Sequence, residues 1–206
     1  LTNDEAHFYG PVMGLPALRA EVAAQWSVAY GGALAADNVA ITSGCNQAFS
    51  AAIMTLTSEG DEVIIPTPWY FNHKMWLDMA GVTAIALPTG DTLVPDPEAA
   101  RALITPRTKA ISLVTPNNPA GVEYPAGILR AFYDIAREHG IALIVDETYR
   151  DFDARDGAPH DLFTDPDWAE TLIHLYSFSK AYRLTGHRVG AIVASPARLA
   201  EVEKFL

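Results

Sequence analysis

The sequence predicts an α/β domain built on a mostly parallel seven-stranded sheet, and three observations predict it. Short apolar, β-branched runs recur along the 206 residues, near-continuous rather than alternating, as suits strands buried on both faces. Helical patterns lie between these runs, and strands alternating with helices give parallel sheets. Half of the residues are hydrophobic and 19% are charged, a globular balance that excludes a disordered chain.

In chain order, Pro16–Tyr30 reads as a helix, with Pro16 in the first turn where a missing N–H costs nothing. Val39–Thr42 follows as a strand and Asn46–Thr57 as an apolar helix. Glu62–Ile65 is the second strand, Tyr70–Met79 a helix, Val82–Leu87 the third strand and Asp96–Leu103 a helix. Lys109–Val114 is the fourth strand. Pro125–His139 is a helix with Pro125 at its start and Gly140 just past its end, as a C-terminal cap requires. Ile141–Val145, Thr171–Tyr176 and Gly190–Ala194 complete the strands. Asp151–Asp167, rich in Asp, Gly and Pro, reads as one long solvated loop rather than a linker, with calcium capture as its alternative use. The 206 residues therefore read as a single domain.

No apolar run approaches the ~18 residues that span a bilayer. A net charge of −11 argues against non-specific nucleic-acid binding. The single cysteine, Cys45, has no internal disulfide partner, which points to a reducing, cytoplasmic setting. His7, His139, His160 and His174 lack metal-ligand spacing, so no metal is expected. The opening at Leu1 suggests a segment of a longer protein.

Parallel α/β sheets place their sites beyond the carboxyl ends of the strands. After the first strand, Ser43-Gly44-Cys45-Asn46 joins a helix start, where backbone N–H groups and the helix dipole favour an anion. An ordinary capped turn is the plain alternative. After the fourth strand, Thr115-Pro116-Asn117-Asn118-Pro119-Ala120-Gly121 fixes a backbone path and holds two amides at the sheet edge. The fifth strand runs into Asp146-Glu147-Thr148-Tyr149. A carboxylate there needs a cationic partner, unless Asp146 caps the next helix, and one helical turn would bring the Tyr149 hydroxyl to its side.

After the sixth strand comes Ser177-Phe178-Ser179-Lys180, with Arg183 and Arg188 following, and from Thr171 to Ala200 there is no Asp or Glu. A cationic, hydroxyl-rich patch in an acidic chain points to a specific anionic ligand; a solvated basic loop is the alternative. Of four lysines, only Lys180 sits among hydroxyls at a strand end with arginines nearby, and neighbouring cations favour the nucleophilic free amine. A reactive amine, a buried acid, a phenol, an amide and an anion cradle together match the needs of pyridoxal 5'-phosphate (PLP).

On these residues the chain resembles the class I and II aminotransferases, PLP enzymes of fold type I. The likeness rests on Tyr9 with Gly14-Leu15, Ser43-Gly44, Asn118-Pro119-Ala120-Gly121, Asp146-Glu147-Thr148-Tyr149 and Ser177-Phe178-Ser179-Lys180 with Arg188-Val189-Gly190, in the family's order across nearly the whole chain. The resemblance implies a three-layer α/β/α fold, with residues 1–206 as the PLP-binding large domain and an N-terminal arm and C-terminal small domain outside it. It implies that Lys180 carries PLP as an aldimine and shuttles the proton, that Asp146 pairs with the ring nitrogen, and that Tyr149 and Asn118 hold the ring oxygen. Ser43, Gly44, Cys45 and Asn46, with Ser177, Ser179 and Arg188, would surround the phosphate. Tyr70, or less readily Trp69, would stack on the ring, and His73 would stand behind Asp146 unless it is a surface histidine. Tyr9 would reach the neighbouring subunit's cofactor in a homodimer with shared sites. Cis peptides are expected before Pro68 and Pro119. Two positions depart from the family pattern, His187 for a bulky aromatic and Ala120 for threonine. The implied activity is amino-group transfer between an L-amino acid and a 2-oxo acid. The alternatives are carbon–sulfur β-elimination at the same site, or a PLP-sensing domain of a transcription regulator.

Overall fold

The structure, a computed structural model, describes residues 8–206; His7 lies outside them. The strands are β1 (Val39–Thr42), β2 (Glu62–Thr67), β3 (Thr83–Pro88), β4 (Thr108–Val114), β5 (Ala142–Asp146), β6 (Leu172–Ser177) and β7 (Gly190–Val193). They form one seven-stranded sheet in the order β1-β7-β6-β5-β4-β2-β3. β2 through β6 run parallel to one another, and among the described strands β7 is reversed, antiparallel to both β1 and β6. Seven helices accompany it: α1 (Pro16–Tyr30), α2 (Cys45–Leu56), α3 (Phe71–Met79), α4 (Pro97–Arg101), α5 (Ala126–Glu138), α6 (Trp168–Thr171) and α7 (Pro196–Val202).

Alternation along each strand sorts the core into two layers. Leu143 and Val145 of β5, with Leu172 and Tyr176 of β6, pack under α1, α4, α5 and α6. Ala142 and Ile144, with Ile173 and Leu175, pack under α2, α3 and α7. The result is the three-layer α/β/α arrangement. Gly31, in the left-handed region at φ +73, ends α1 by donating its N–H to the Ser27 carbonyl.

Several local expectations shift. Pro125 is the residue before α5 rather than its first turn. Thr171 closes the short helix α6, and β6 begins one residue later. Neither α6 nor α7 was expected; α7 starts behind Ser195, whose hydroxyl accepts from the Arg198 N–H at 3.1 Å. The 151–167 segment is not simply solvated, because His160, Leu162 and Phe163 are buried within it. Its acids meet cations instead: Arg130 pairs with Asp161 and Asp165 at 2.7 and 2.9 Å. The peptides before Pro68, Pro116 and Pro119 are cis.

Candidate active site

A cleft of about 210 Å³ opens at the carboxyl edge of the sheet, where β1, β4, β5 and β6 end. Asp146, the last residue of β5, has the side-chain parity of Ala142 and Ile144 and so faces α2 and α3. It is 3% exposed. Its Oδ1 accepts from the Thr148 backbone N–H at 3.0 Å and from the Thr148 hydroxyl at 2.7 Å. This tight side-chain turn replaces the helical turn expected after β5; the chain then enters a 3₁₀ turn over Arg150–Phe152. His73 Nε2 lies 3.3 Å from Asp146 Oδ2, and the Cys45 thiol donates to the same oxygen at 3.3 Å. Burial alone would raise the Asp146 carboxyl pKa; His73 and the Thr148 hydrogen bonds outweigh it and hold the pKa below the ordinary aspartate value. The floor of the cleft therefore carries a fixed negative charge. Burial, reinforced by that charge, pushes the Cys45 thiol well up, so Cys45 is a neutral donor rather than a nucleophile.

α3 supplies the histidine because Tyr70 and Phe71 start the helix and His73 falls on its inner face. His73 is buried and stacks on Phe49 of α2, ring centroids 3.8 Å apart and planes within 8°. It is not the surface histidine of the alternative reading. Tyr70, not Trp69, lines the cleft; Trp69 packs against the α2/α3 side of the core. The Tyr70 hydroxyl accepts from Asn72 at 2.9 Å, and burial, with Asp146 close by, keeps its phenol protonated beyond the ordinary range.

The loop after β1 is built on glycine. Gly44 sits at φ +80, and a Cβ there would run into the Arg188 guanidinium. Gly190 lies against the same loop: a Cβ on it would come within 2.6 Å of the Gly44 carbonyl carbon and 2.7 Å of the Cys45 nitrogen. These two absences let α2, β7 and Arg188 converge. The α2 N-terminus has no acidic residue in its first turn, and Arg188, held at φ 55, donates to the Thr185 carbonyl at 2.9 Å. Unsatisfied N–H groups, a helix dipole and a guanidinium thus share one end of the cleft. Gly190→Ala is expected to destabilise the protein by about 1–3 kcal/mol, the cost of forcing atoms into a packed contact, read as a lowered midpoint of thermal unfolding.

Two loops finish the walls. Asn117 points inward, donating to the Tyr124 hydroxyl at 3.0 Å, while Asn118 faces the cleft and donates to the Tyr149 hydroxyl at 3.4 Å. Ser177 at the end of β6 and Ser179 just beyond it line the cleft; the Ser179 N–H donates to the Ser177 hydroxyl at 3.2 Å. Lys180 is exposed at the mouth with Nζ 5.8 Å from the Tyr149 ring centroid.

The structure thus brings together Cys45, Asn46, Tyr70, Asn118, Asp146, Tyr149, Ser177, Ser179, Lys180 and Arg188 in one cleft. Ser43 and Gly44 contribute backbone behind it, the Ser43 N–H being taken by the Gln47 side chain at 2.6 Å. Tyr9 is fully exposed and lines no part of it. Sequence reasoning missed Thr148 and Thr185. A threonine two residues after an aspartate is a turn signal that points to Thr148; Thr185 carries no comparable signal. Among the described residues, no three His, Cys, Asp or Glu side chains gather as a metal would require, and no helix is long and apolar enough to cross a membrane.

A family model for aminotransferase class I and II matches residues 1–206. The chain is 35% identical over 192 residues to the aromatic aminotransferase ISS1 of Arabidopsis thaliana, covering 91% of this chain and 47% of that protein. It is 32% identical over 201 residues to the arginine–pyruvate transaminase AruH of Pseudomonas aeruginosa, covering 96% and 50%. The solved structure of YbdL from Escherichia coli, described as having a methionine aminotransferase function, superposes with a TM-score of 0.90 at 29% identity, covering 97% of this chain and 53% of that one. The chain spans about half the length of the curated relatives it matches.

Proposed function

Because this chain belongs to the class I and II aminotransferase family, we propose that it is the cofactor-binding part of a PLP-dependent enzyme that moves an amino group between an L-amino acid and a 2-oxo acid. The observation that carries the reading is a buried, ionised carboxylate at the floor of a cleft with an anion cradle at one end and a lysine at its mouth. The donor set fits PLP, since a Cβ at Gly44 would run into the Arg188 guanidinium, and its absence lets that cation sit beside the uncapped α2 N-terminus, where a phosphate would be held. Bound there, PLP supplies a ring that withdraws electrons from the substrate's α-carbon.

The chain's own residues do the rest. Asp146 keeps a proton on the ring nitrogen, because its charge is itself held by His73, Cys45 and Thr148. Tyr149 and Asn118, already hydrogen-bonded to each other, direct a hydroxyl and an amide at the ring oxygen. Cys45, Asn46, Ser177, Ser179 and Arg188 would hold the phosphate, and Tyr70 would supply an aromatic wall for the ring. Lys180 would present the amine that holds the cofactor's carbonyl carbon and moves the α-proton. A homodimer with shared sites fits the fully exposed Tyr9, and a lone half-buried thiol fits a reducing, cytoplasmic setting.

The test is a visible spectrum of the intact protein with PLP. A cofactor band that shifts on adding an amino acid and returns on adding a 2-oxo acid is the expected result. Release of pyruvate and ammonia without an acceptor acid would instead assign β-elimination. Arg188→Ala is expected to weaken PLP by about 1.5–3 kcal/mol, the worth of a hydrogen bond to a charged group, measured by titrating the apoprotein with PLP.

A further inference from the structure

Behind the catalytic turn, on the α1 side of the sheet, lies a buried polar cluster that the steps above do not use. Successive strand residues point to opposite faces, so where Asp146 faces α2 and α3, Glu147 faces α1. Glu147 is 1% exposed. Its Oε2 accepts from the Tyr30 hydroxyl and from His174 Nε2 at 2.9 Å, and His160 Nε2 stands 3.4 Å away. The other ring nitrogens set the tautomers. His174 Nδ1 accepts from the Trp26 indole at 3.3 Å, and His160 Nδ1 accepts from the Leu162 N–H at 3.2 Å. Each ring therefore turns its Nε2 towards the carboxylate. Burial alone would raise the Glu147 carboxyl, but the two imidazoles outweigh it and hold it well below the ordinary range. Burial lowers His174 and keeps it neutral.

Arg150 balances the charge. Its Nη1 donates to the Tyr30 hydroxyl at 3.2 Å, and its guanidinium lies 3.5 Å from the Trp26 ring centroid and 4.8 Å from that of Tyr176. The backbone shows what this grip holds. The Glu147 N–H still bonds the Leu175 carbonyl of β6 at 2.9 Å, but the chain then leaves the sheet, and the Arg150 N–H returns to the Glu147 carbonyl at 3.0 Å. Within Asp146–Arg150, residues 146 and 149 face the cleft, while 147 and 150 reach back to α1.

We propose that Glu147 is a positioning residue: through Tyr30 and His174 it fastens the turn that carries Asp146 and Tyr149 to α1, and so fixes both groups against the cofactor. This rests on the PLP reading, which the wild-type spectrum tests by itself. Tyr30→Phe removes one hydroxyl and keeps the ring packed on His160; Glu147→Gln removes the charge and keeps the shape. In the intact protein with PLP, each is expected to lower kcat about tenfold, as loss of one hydrogen bond to a charged group would, with KM for the amino acid within about twofold. Each is also expected to move the pH midpoint of the bound-cofactor band by roughly half a unit, a perturbation of about 0.7 kcal/mol at the Asp146–Tyr149 end. A Tyr30→Phe protein with the wild-type midpoint and kcat but a lower unfolding temperature would overturn the proposal and leave the cluster as core packing. Should Glu147→Gln fail to fold, Tyr30→Phe decides alone. A wild-type protein without any cofactor band would overturn the PLP reading itself, and the proposal with it.

Discussion

Lys180→Ala is expected to abolish turnover while leaving PLP bound. In the proposed reading one amine serves both as nucleophile and as proton carrier, so its loss would remove two functions together, and a fall of roughly 10⁴-fold or more is expected. Binding survives because the anion cradle is built elsewhere, from the α2 N-terminus, Ser177 and Arg188. The Lys180 side chain is exposed at the mouth and makes no hydrogen bond among the described residues, so the variant should unfold at the wild-type temperature. The measurement is single-turnover amino-group transfer beside PLP titration of the same sample. Turnover within tenfold of wild type would move the reactive amine away from Lys180.

Asp146→Asn should produce the second largest loss. The substitution preserves volume and can keep the Thr148 turn, but it removes the fixed charge that Asp146 places at the cleft floor. His73 and Cys45 then face an amide instead of a carboxylate. Losing a pre-organised charge aimed at the reacting system typically costs about 10²–10³ in kcat. PLP should still occupy the cradle, with its band altered because nothing holds the ring-nitrogen proton. Stopped-flow traces that show wild-type rates would remove Asp146 from the ring nitrogen.

Much of this was legible because strand ends carry the chemistry. Once Ile141–Val145 is recognised as a buried strand, an acid at its end has to be explained by a partner, and the same logic reaches Asn118 and Lys180. The resemblance then assigned roles that spacing alone left open. The parts that stayed dark depend on meetings between distant segments. Nothing near Glu147 in the chain announces Tyr30 on α1 or His160 in the long loop; their shared face follows only from strand parity and the path of 151–167. His160 and His174 looked inert because metal spacing was the criterion, whereas both turn Nε2 towards the buried Glu147 carboxylate. α7 was missed for its brevity, although Ser195-Pro196 is a start signal and Leu199 and Val202 share a face. Thr148 was hidden because the turn after β5 is tight rather than helical.

The reversed strand β7 also has a consequence for the order in which the molecule assembles. Val39 pairs with Val193, 154 residues later, and Gly190 is the residue against which the Gly44–Cys45 backbone rests. Closing so distant a contact is slow, because the chain entropy between its ends is surrendered before the contact repays it. During vectorial synthesis, β2 through β5 can pair with one another early, whereas β1 has no strand beside it until β7 emerges. The Gly44–Cys45 turn, where the proposed reading places the anion, is therefore expected to be packed only once β7 has formed. Capture of the cofactor should report completion of this sheet, and an apoprotein arrested before residue 190 would be well folded around β4 yet unable to retain a phosphate.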